Sequence, residues 1–354
     1  MRETSSPFVE HTWLAALEEA QCVGPRSGWV PRHLALFEGK DLVAAAPAYL
    51  KTNTEGEFVF DWSWADLAGR LGLEYYPKLV VAVPFTPATG DRVLVREGRD
   101  KAETISIFAH ALRTITKEMG LSSAHVLFPN PEEAGMWADA GFASRNGVQY
   151  HWSNAGFSTF EDFLATLPQK KRTQIRRERK QPAMDGVTLS TLSPDELTRP
   201  VVHKMHELYL TTVDKYFYGR RYMKKRFFEL VAERFADRLA WVVAKKDGDI
   251  VASAFNVKKG GVLYGRYWGT TVDLPFLHFN VCYYHGVDQA IREGLQTFNP
   301  GAGGEHKRIR GFLPTITHSA HHIVDLRFRT IVEEFLGRER EAIARHVKEE
   351  REGA

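Results

Sequence analysis

The sequence predicts an α+β protein made of two tandem copies of one unit, each a mixed, mainly antiparallel sheet flanked by helices. Three observations predict it. The segments FEGKDLVAAAPAYLK (37–51) and KKDGDIVASAFNVKK (245–259) share a polar turn, a strand of similar length and the same alternation, which is how a repeated unit shows itself in a sequence. An aromatic-rich stretch follows each, FVFDWSW and then VLYGRYWG, and a long helical pattern and a short strand come later in both halves. The length of 354 residues exceeds an ordinary single domain of roughly 100 to 200. The expected division is 1–155, a basic helical connector over 156–185, and 186–354 with the active site.

In chain order, Trp13, Leu14, Leu17 and Ala20 recur near helical spacing and predict a helix over 12–21. A hairpin over 34–50 turns at Glu38-Gly39-Lys40-Asp41, and Phe58, Phe60, Trp62 and Trp64 alternate as a third strand would. That aromatic face either packs on helices or offers a stacking surface. The apolar run 78–85 reads as a buried strand. Ile105, Phe108, Ala109, Leu112, Ile115 and Met119 give an amphipathic helix over 101–119, closed by Gly120. Strand 124–128, helix 131–140 and strand 147–152 complete the first half.

Phe160, Phe163, Leu164 and Leu167 form a helical stripe that runs into QKKRTQIRRERK. The second half then reads strand 186–192, a helix to 213 capped by Ser193-Pro194, helix 221–235, strands 239–244, 250–258 and 261–270, helix 279–293, strand 295–299 and a last helix over 328–347.

The net charge of +3 conceals a local excess. Lys170, Lys171, Arg172, Arg176, Arg177, Arg179 and Lys180 carry seven positive charges against Glu178, so this segment holds +6 and the rest about −3. On a helix, Arg172, Arg176, Arg179 and Lys180 share a face, either simply solvated or apposed to the phosphates of an anionic partner. Cys22 and Cys282 are far apart and suit a reducing compartment. No export signal or apolar run of membrane-spanning length is evident, so a cytoplasmic protein is expected.

The stretch with most chemistry is FNPGAGGEHKRIRGFLPTITHSAHH, 298–322. Gly303 and Gly304 allow close backbone approach and leave N–H groups open. Glu305, His306 and Lys307 follow. Glu305 or His306 is placed to take a proton from an amine, Lys307 or a Gly303-Gly304 N–H to face an oxyanion, and Arg310 to hold a carboxylate or phosphate. Tyr264, Arg266 and Trp268 alternate on one strand face while Tyr267 points oppositely. Tyr264 joins the catalytic set, and Arg266, Trp268, His278 and Tyr284 the substrate-binding set. Tyr283 and Tyr284 both lie on the helix, and one of them is available to protonate a leaving group. His318, His321 and His322 lack a carboxylate arrangement typical of a metal site, and none is predicted.

The blocks YYPKLVVAVPFTPATGDR, QYHWSNAGFSTFEDFLATLPQKKRTQIRRERK, YGRYWG and HFNVCYYHGVDQAIREGLQTFNPGAGGEHKRIRGFLPTITHSAHH occur in order over most of the chain. They resemble the recurring blocks of the FemAB-like tandem-GNAT family, bacterial proteins of the acyl-CoA N-acyltransferase superfamily labelled as peptidoglycan biosynthesis or recognition proteins. The order helix, three antiparallel strands, helix, strand, helix is that of the GNAT fold. The resemblance implies transfer of an acyl or aminoacyl group to an amine of a small molecule, peptide or cell-wall precursor, with aminoacyl-tRNA or acyl-CoA as co-substrate and no tightly bound cofactor. Lys171, Arg172 and Arg176 would then hold donor phosphates. The pyrophosphate-binding glycine turn of CoA-using relatives is missing from GTTVDLPFLHFN, before Phe279. The competing expectation is a non-catalytic module that binds RNA, a nucleotide sugar or a peptidoglycan precursor.

Overall fold

A computed structural model describes residues 6–215, 220–304 and 306–352. The chain forms two compact units: 1–9, 23–148 and 315–349 make the first, and 10–22, 149–314 and 350–354 the second. Both ends therefore differ from a division at 155 and 186. Helix His11–Glu19 belongs to the second unit because Trp13 buries its ring against Phe227, 5.0 Å between centroids, and against Phe255. Residues 315–349 join the first because strand Leu313–Ile323 pairs antiparallel with Ser123–Leu127 and Phe328, Val332 and Leu336 pack with Trp64 and Tyr75. A packing partner distant in sequence outweighs chain proximity.

The first unit orders its strands Trp29–Pro31, Ala48–Lys51, Lys78–Val81, Ser123–Leu127, Leu313–Ile323 and the first part of Ala143–Ser153. The amphipathic pattern becomes helix Lys101–Glu118, whose Ile105, Phe108 and Leu112 meet Leu79, Val81 and Val126 in the core. Asp100 caps it by accepting from the Glu103 N–H. The aromatic alternation at 58–64 is no strand: helix Trp62–Arg70 starts there, with Trp64 buried and Phe60 and Trp62 exposed. Its cause is local polarity. The buried Asp61 carboxylate accepts from Lys78, Tyr75 and Thr54, which fixes the residue before the helix off the strand path. His321 and His125 are register partners whose Nδ1 atoms lie 2.6 Å apart, each Nε2 bonded to a serine. The 318–322 histidines thus sit on a strand, where an i, i+4 helical pair does not arise.

In the second unit the order is the second part of Ala143–Ser153, Thr297–Asn299, Val262–Thr270, Asp249–Lys259, Val242–Lys246 and Val187–Thr191. The repeat is visible in both units as a hairpin with a register shift just before its turn, at Leu36/Phe37 and at Ala244/Lys245. Ser193-Pro194 opens only a 3-10 turn, Pro194–Glu196, and the following helix is Arg199–Val213. The basic stretch is helix Gln169–Met184.

Two irregularities in this unit shape the site. Phe255 pairs with Tyr267 but Asn256 pairs with Gly265, so Arg266 is the extra residue of a β-bulge. Five residues, Asn280–Tyr284, form a π-helical turn between Leu277–Phe279 and His285–Arg292.

Candidate active site

Strands Val262–Thr270 and Thr297–Asn299 pair in parallel only as far as Tyr264 and Asn299. Beyond that point a pocket of about 250 Å³ opens, lined among others by Asn256, Arg266, Tyr267, Trp268, His278, Tyr283 and Lys307. A crevice past the carboxyl ends of diverging strands is a usual place for a ligand in sheets of this kind. The two chain segments nearly touch at its base: a Cβ on Gly265 would lie 3.1 Å from the Pro300 Cα, and one on Gly301 3.2 Å from the Gly265 carbonyl. Asn299 shapes the next turn by accepting from the Gly301 N–H at 2.9 Å. Gly301, Gly303 and Gly304 all take positive φ there.

Lys307 is 2% exposed. Its Nζ donates to the carbonyls of Gly301 at 2.7 Å and Ala302 at 3.3 Å, which engages two of its three N–H groups. Burial pushes its pKa down to about 8. His306 is exposed and off the pocket wall, but the Tyr283 hydroxyl, which is on the wall, bonds to its Nε2 at 2.9 Å. Burial, then Lys307 and Arg310, lower the His306 pKa, which favours the neutral imidazole. His278 packs its ring 4.7 Å from Trp268, and burial takes its pKa down to about 4. Glu305 lies outside the described residues.

Several sequence expectations are redirected. Tyr264 is buried and off the pocket wall, whereas Tyr267 is on it. The bulge at Arg266 breaks the two-residue alternation on which that assignment depended. Of the two helix tyrosines, the π-turn presents Tyr283 to the pocket and turns Tyr284 inward, where its hydroxyl donates to Glu178. Arg310 is committed elsewhere too. Its Nη2 donates to Glu178 Oε1 at 3.0 Å, its Nε to Oε2 at 3.1 Å and its Nη1 to the His306 carbonyl at 2.8 Å, while its guanidinium lies 3.3 Å from the centre of the Phe279 ring. Gly303 and Gly304 turn the chain without lining the pocket. On the basic helix, Arg176 pairs with Glu161 at 2.6 Å on the surface and Arg172 donates to the Leu167 carbonyl. Arg177 reaches over Phe276, 5.8 Å from the ring centre, two residues before His278. Asn256 and Glu178 are the residues that sequence reasoning missed. Asn256 stood out only as an amide in a largely apolar strand, and Glu178 only as the one acidic residue in a basic run.

The second unit also carries a pH signature for stability. Burial lowers the pKa of His151, His278 and His285 to about 4, so below the unfolded value near 6.5 the unfolded chain binds more protons. Stability is therefore present above about pH 6.5 and falls toward pH 4, by up to about 1.4 kcal/mol per pH unit for each group. Chemical denaturation at pH 7.5, 6 and 5 should show midpoints dropping in that order; a flat profile would contradict the neutral buried imidazoles.

Taken together, the folds of both units and the splayed-strand pocket define a tandem GNAT-like α+β protein. Among solved structures, the chain is similar to L-PGS from Bacillus licheniformis, with 13% identity over 91% of this chain and 95% of that one and a TM-score of 0.54. It is also similar to the C-terminal domain of a putative lysylphosphatidylglycerol synthetase from Agrobacterium fabrum, with 14% identity over 91% and 96% and a TM-score of 0.53. FemX shares 11% identity over 94% of this chain and 96% of its own, at a TM-score of 0.54. At such identities the likeness is one of fold. No curated protein sequence matches. A family model described as peptidoglycan biosynthesis/recognition matches residues 1–354, and the chain belongs to this FemAB-like family. Among the described residues, no helix is long and apolar enough to cross a membrane.

Proposed function

We propose that the chain is an N-acyltransferase or aminoacyltransferase whose reaction centre is the pocket of the second unit. The observation that carries this is Lys307, a buried ammonium on the pocket wall with two N–H groups fixed by backbone carbonyls and a third that no described residue engages. Membership of the FemAB-like family supports the reaction class.

The amine of the acceptor attacks the carbonyl carbon of an ester or thioester, and the negative charge that develops on the oxygen faces the Lys307 ammonium. With neutral His306 protonated at Nδ1, the Tyr283 hydroxyl donates to its Nε2 across their 2.9 Å contact. Its phenol oxygen accepts the amine proton while its own proton passes to Nε2, and the reverse transfer protonates the departing hydroxyl or thiol as the C–O or C–S bond breaks. Glu305 stays a candidate for the same proton. The pocket volume suits an acyl group of amino-acid size, so the rest of the donor lies outside. Lys171, Arg172 and Arg176, with Arg177 at Phe276, supply the cations for its phosphates, whether those belong to tRNA or CoA.

The test is to mix the purified protein with charged tRNA, with an acyl-CoA pool and with candidate amines, and to read products by mass spectrometry. Amide formation from one donor class is expected. Tight, salt-sensitive RNA binding with no product from any donor would replace this reading with that of a binding module.

A further inference from the structure

The pocket contains a polar group that the acyl-transfer scheme does not use. Asn256 is 1% exposed, lies on the pocket wall, and among the described residues its Nδ2 has no hydrogen-bond partner. A buried amide donor without an acceptor costs stability, about 1–3 kcal/mol, so its presence calls for an acceptor brought from outside. It sits at the base of the pocket. A Cβ on Gly265 would lie 3.5 Å from Asn256 Oδ1 and 3.1 Å from Pro300, and the next residue, Gly301, holds Lys307 through its carbonyl.

The charge of the lining has one sign. Among the described residues on the wall, the side chains charged at neutral pH are Arg266 and Lys307, both cations, and no aspartate or glutamate is among them. The Lys307 contacts at Gly301 and Ala302 are neutral carbonyls, and no carboxylate among the described residues pairs with its ammonium. The bulge puts Arg266 on the wall next to Tyr267, on the strand that pairs with Asn256. An amide donor, a planar cation and an ammonium on the wall of one small aromatic-lined space suit an acceptor-only, negatively charged planar group.

We propose that this pocket recognises a carboxylate, with Asn256 and Arg266 holding its oxygens. This rests on the pocket being the transferase site and names the chemistry of what enters it: a substrate that presents a carboxylate beside the reacting group. The carboxylate belongs either to the acceptor, as in an amino acid, or to the acyl group, as in a dicarboxylic monoacyl unit. Lys307 keeps its place at the carbonyl oxygen and adds only its field.

Calorimetric titration separates the sources and needs no turnover. Succinate and β-alanine are the carboxylate probes, succinamide and putrescine the neutral and cationic controls. The wild-type protein is expected to bind succinate or β-alanine at least tenfold more tightly than succinamide or putrescine. A preference for β-alanine assigns the carboxylate to the acceptor and one for succinate to the acyl group. Asn256→Asp keeps the shape and turns a donor into an acceptor with negative charge, so carboxylate binding should fall at least tenfold while putrescine binding rises. Arg266→Gln, which leaves the buried amide intact, should also weaken the carboxylate tenfold or more and serves if the first variant does not fold. Equal binding of succinamide and succinate, or carboxylate affinity unchanged in a folded variant, overturns the proposal. These outcomes leave the acyl-transfer reading standing, and failure of all donors to react leaves the binding result standing.

Discussion

Lys307→Met is expected to lower the rate of transfer by on the order of 10²- to 10³-fold, the usual cost of removing one preorganised donor to an oxyanion, with little change in the thermal midpoint. Methionine approximates the length and apolar stem of lysine, so the variant removes the charge and the N–H groups that contact Gly301, Ala302 and the pocket. The loss should fall mainly on kcat, because the interaction strengthens as charge develops. The wild-type pH profile gives a second, independent readout. With a pKa of about 8, Lys307 is cationic below that value and neutral above it, so transfer should decline as pH rises through about 8. Full activity of Lys307→Met, or a rate that keeps rising well beyond pH 9, would remove the lysine from the reaction.

The second large effect is expected at Glu178. Its carboxylate is 2% exposed and accepts from Arg310 through both oxygens, from Gln174 at 2.8 Å and from Tyr284. Removing one member of a buried ion pair leaves the other charge without compensation, which costs about 3–5 kcal/mol. Glu178→Ala should therefore lower the unfolding free energy by that amount, read from denaturant titration. It should also impair transfer, since Arg310 holds the His306 carbonyl at 2.8 Å and so steadies the segment that carries His306 and Lys307. Replacing the pair together, Glu178→Leu with Arg310→Met, should cost less than the sum of the single variants because no lone charge stays buried. Additive losses would show that the two side chains act separately.

These two residues illustrate how far local pattern reaches. The position of Lys307 was legible because a lysine beside a glycine-rich turn after a strand is a short-range arrangement. Glu178 was counted only as the lone negative charge in a basic helix, although its partner Arg310 is more than a hundred residues away, and a sequence carries no trace of which distant cation meets which anion. The same limit explains the tyrosines. Whether Tyr283 or Tyr284 faces the pocket depends on a π-helical turn, and helical periodicity presumes the ordinary turn. Tyr264 was favoured over Tyr267 by strict alternation, and a single bulge residue reversed it.

What the sequence by itself determined was the repeat, the α+β class, the amphipathic helix Lys101–Glu118, and the placing of a lysine-bearing turn after the strand Thr297–Asn299. Each of these is periodicity or turn chemistry contained within about twenty residues. Only the tertiary structure decided that 10–22 and 315–349 belong to the opposite units, that the aromatic run at 58–64 starts a helix, and that Asn256, Tyr283 and Lys307 line one pocket. Burial and charge compensation are set by neighbours distant in the chain, and they override local preference wherever a buried polar group must find its partner.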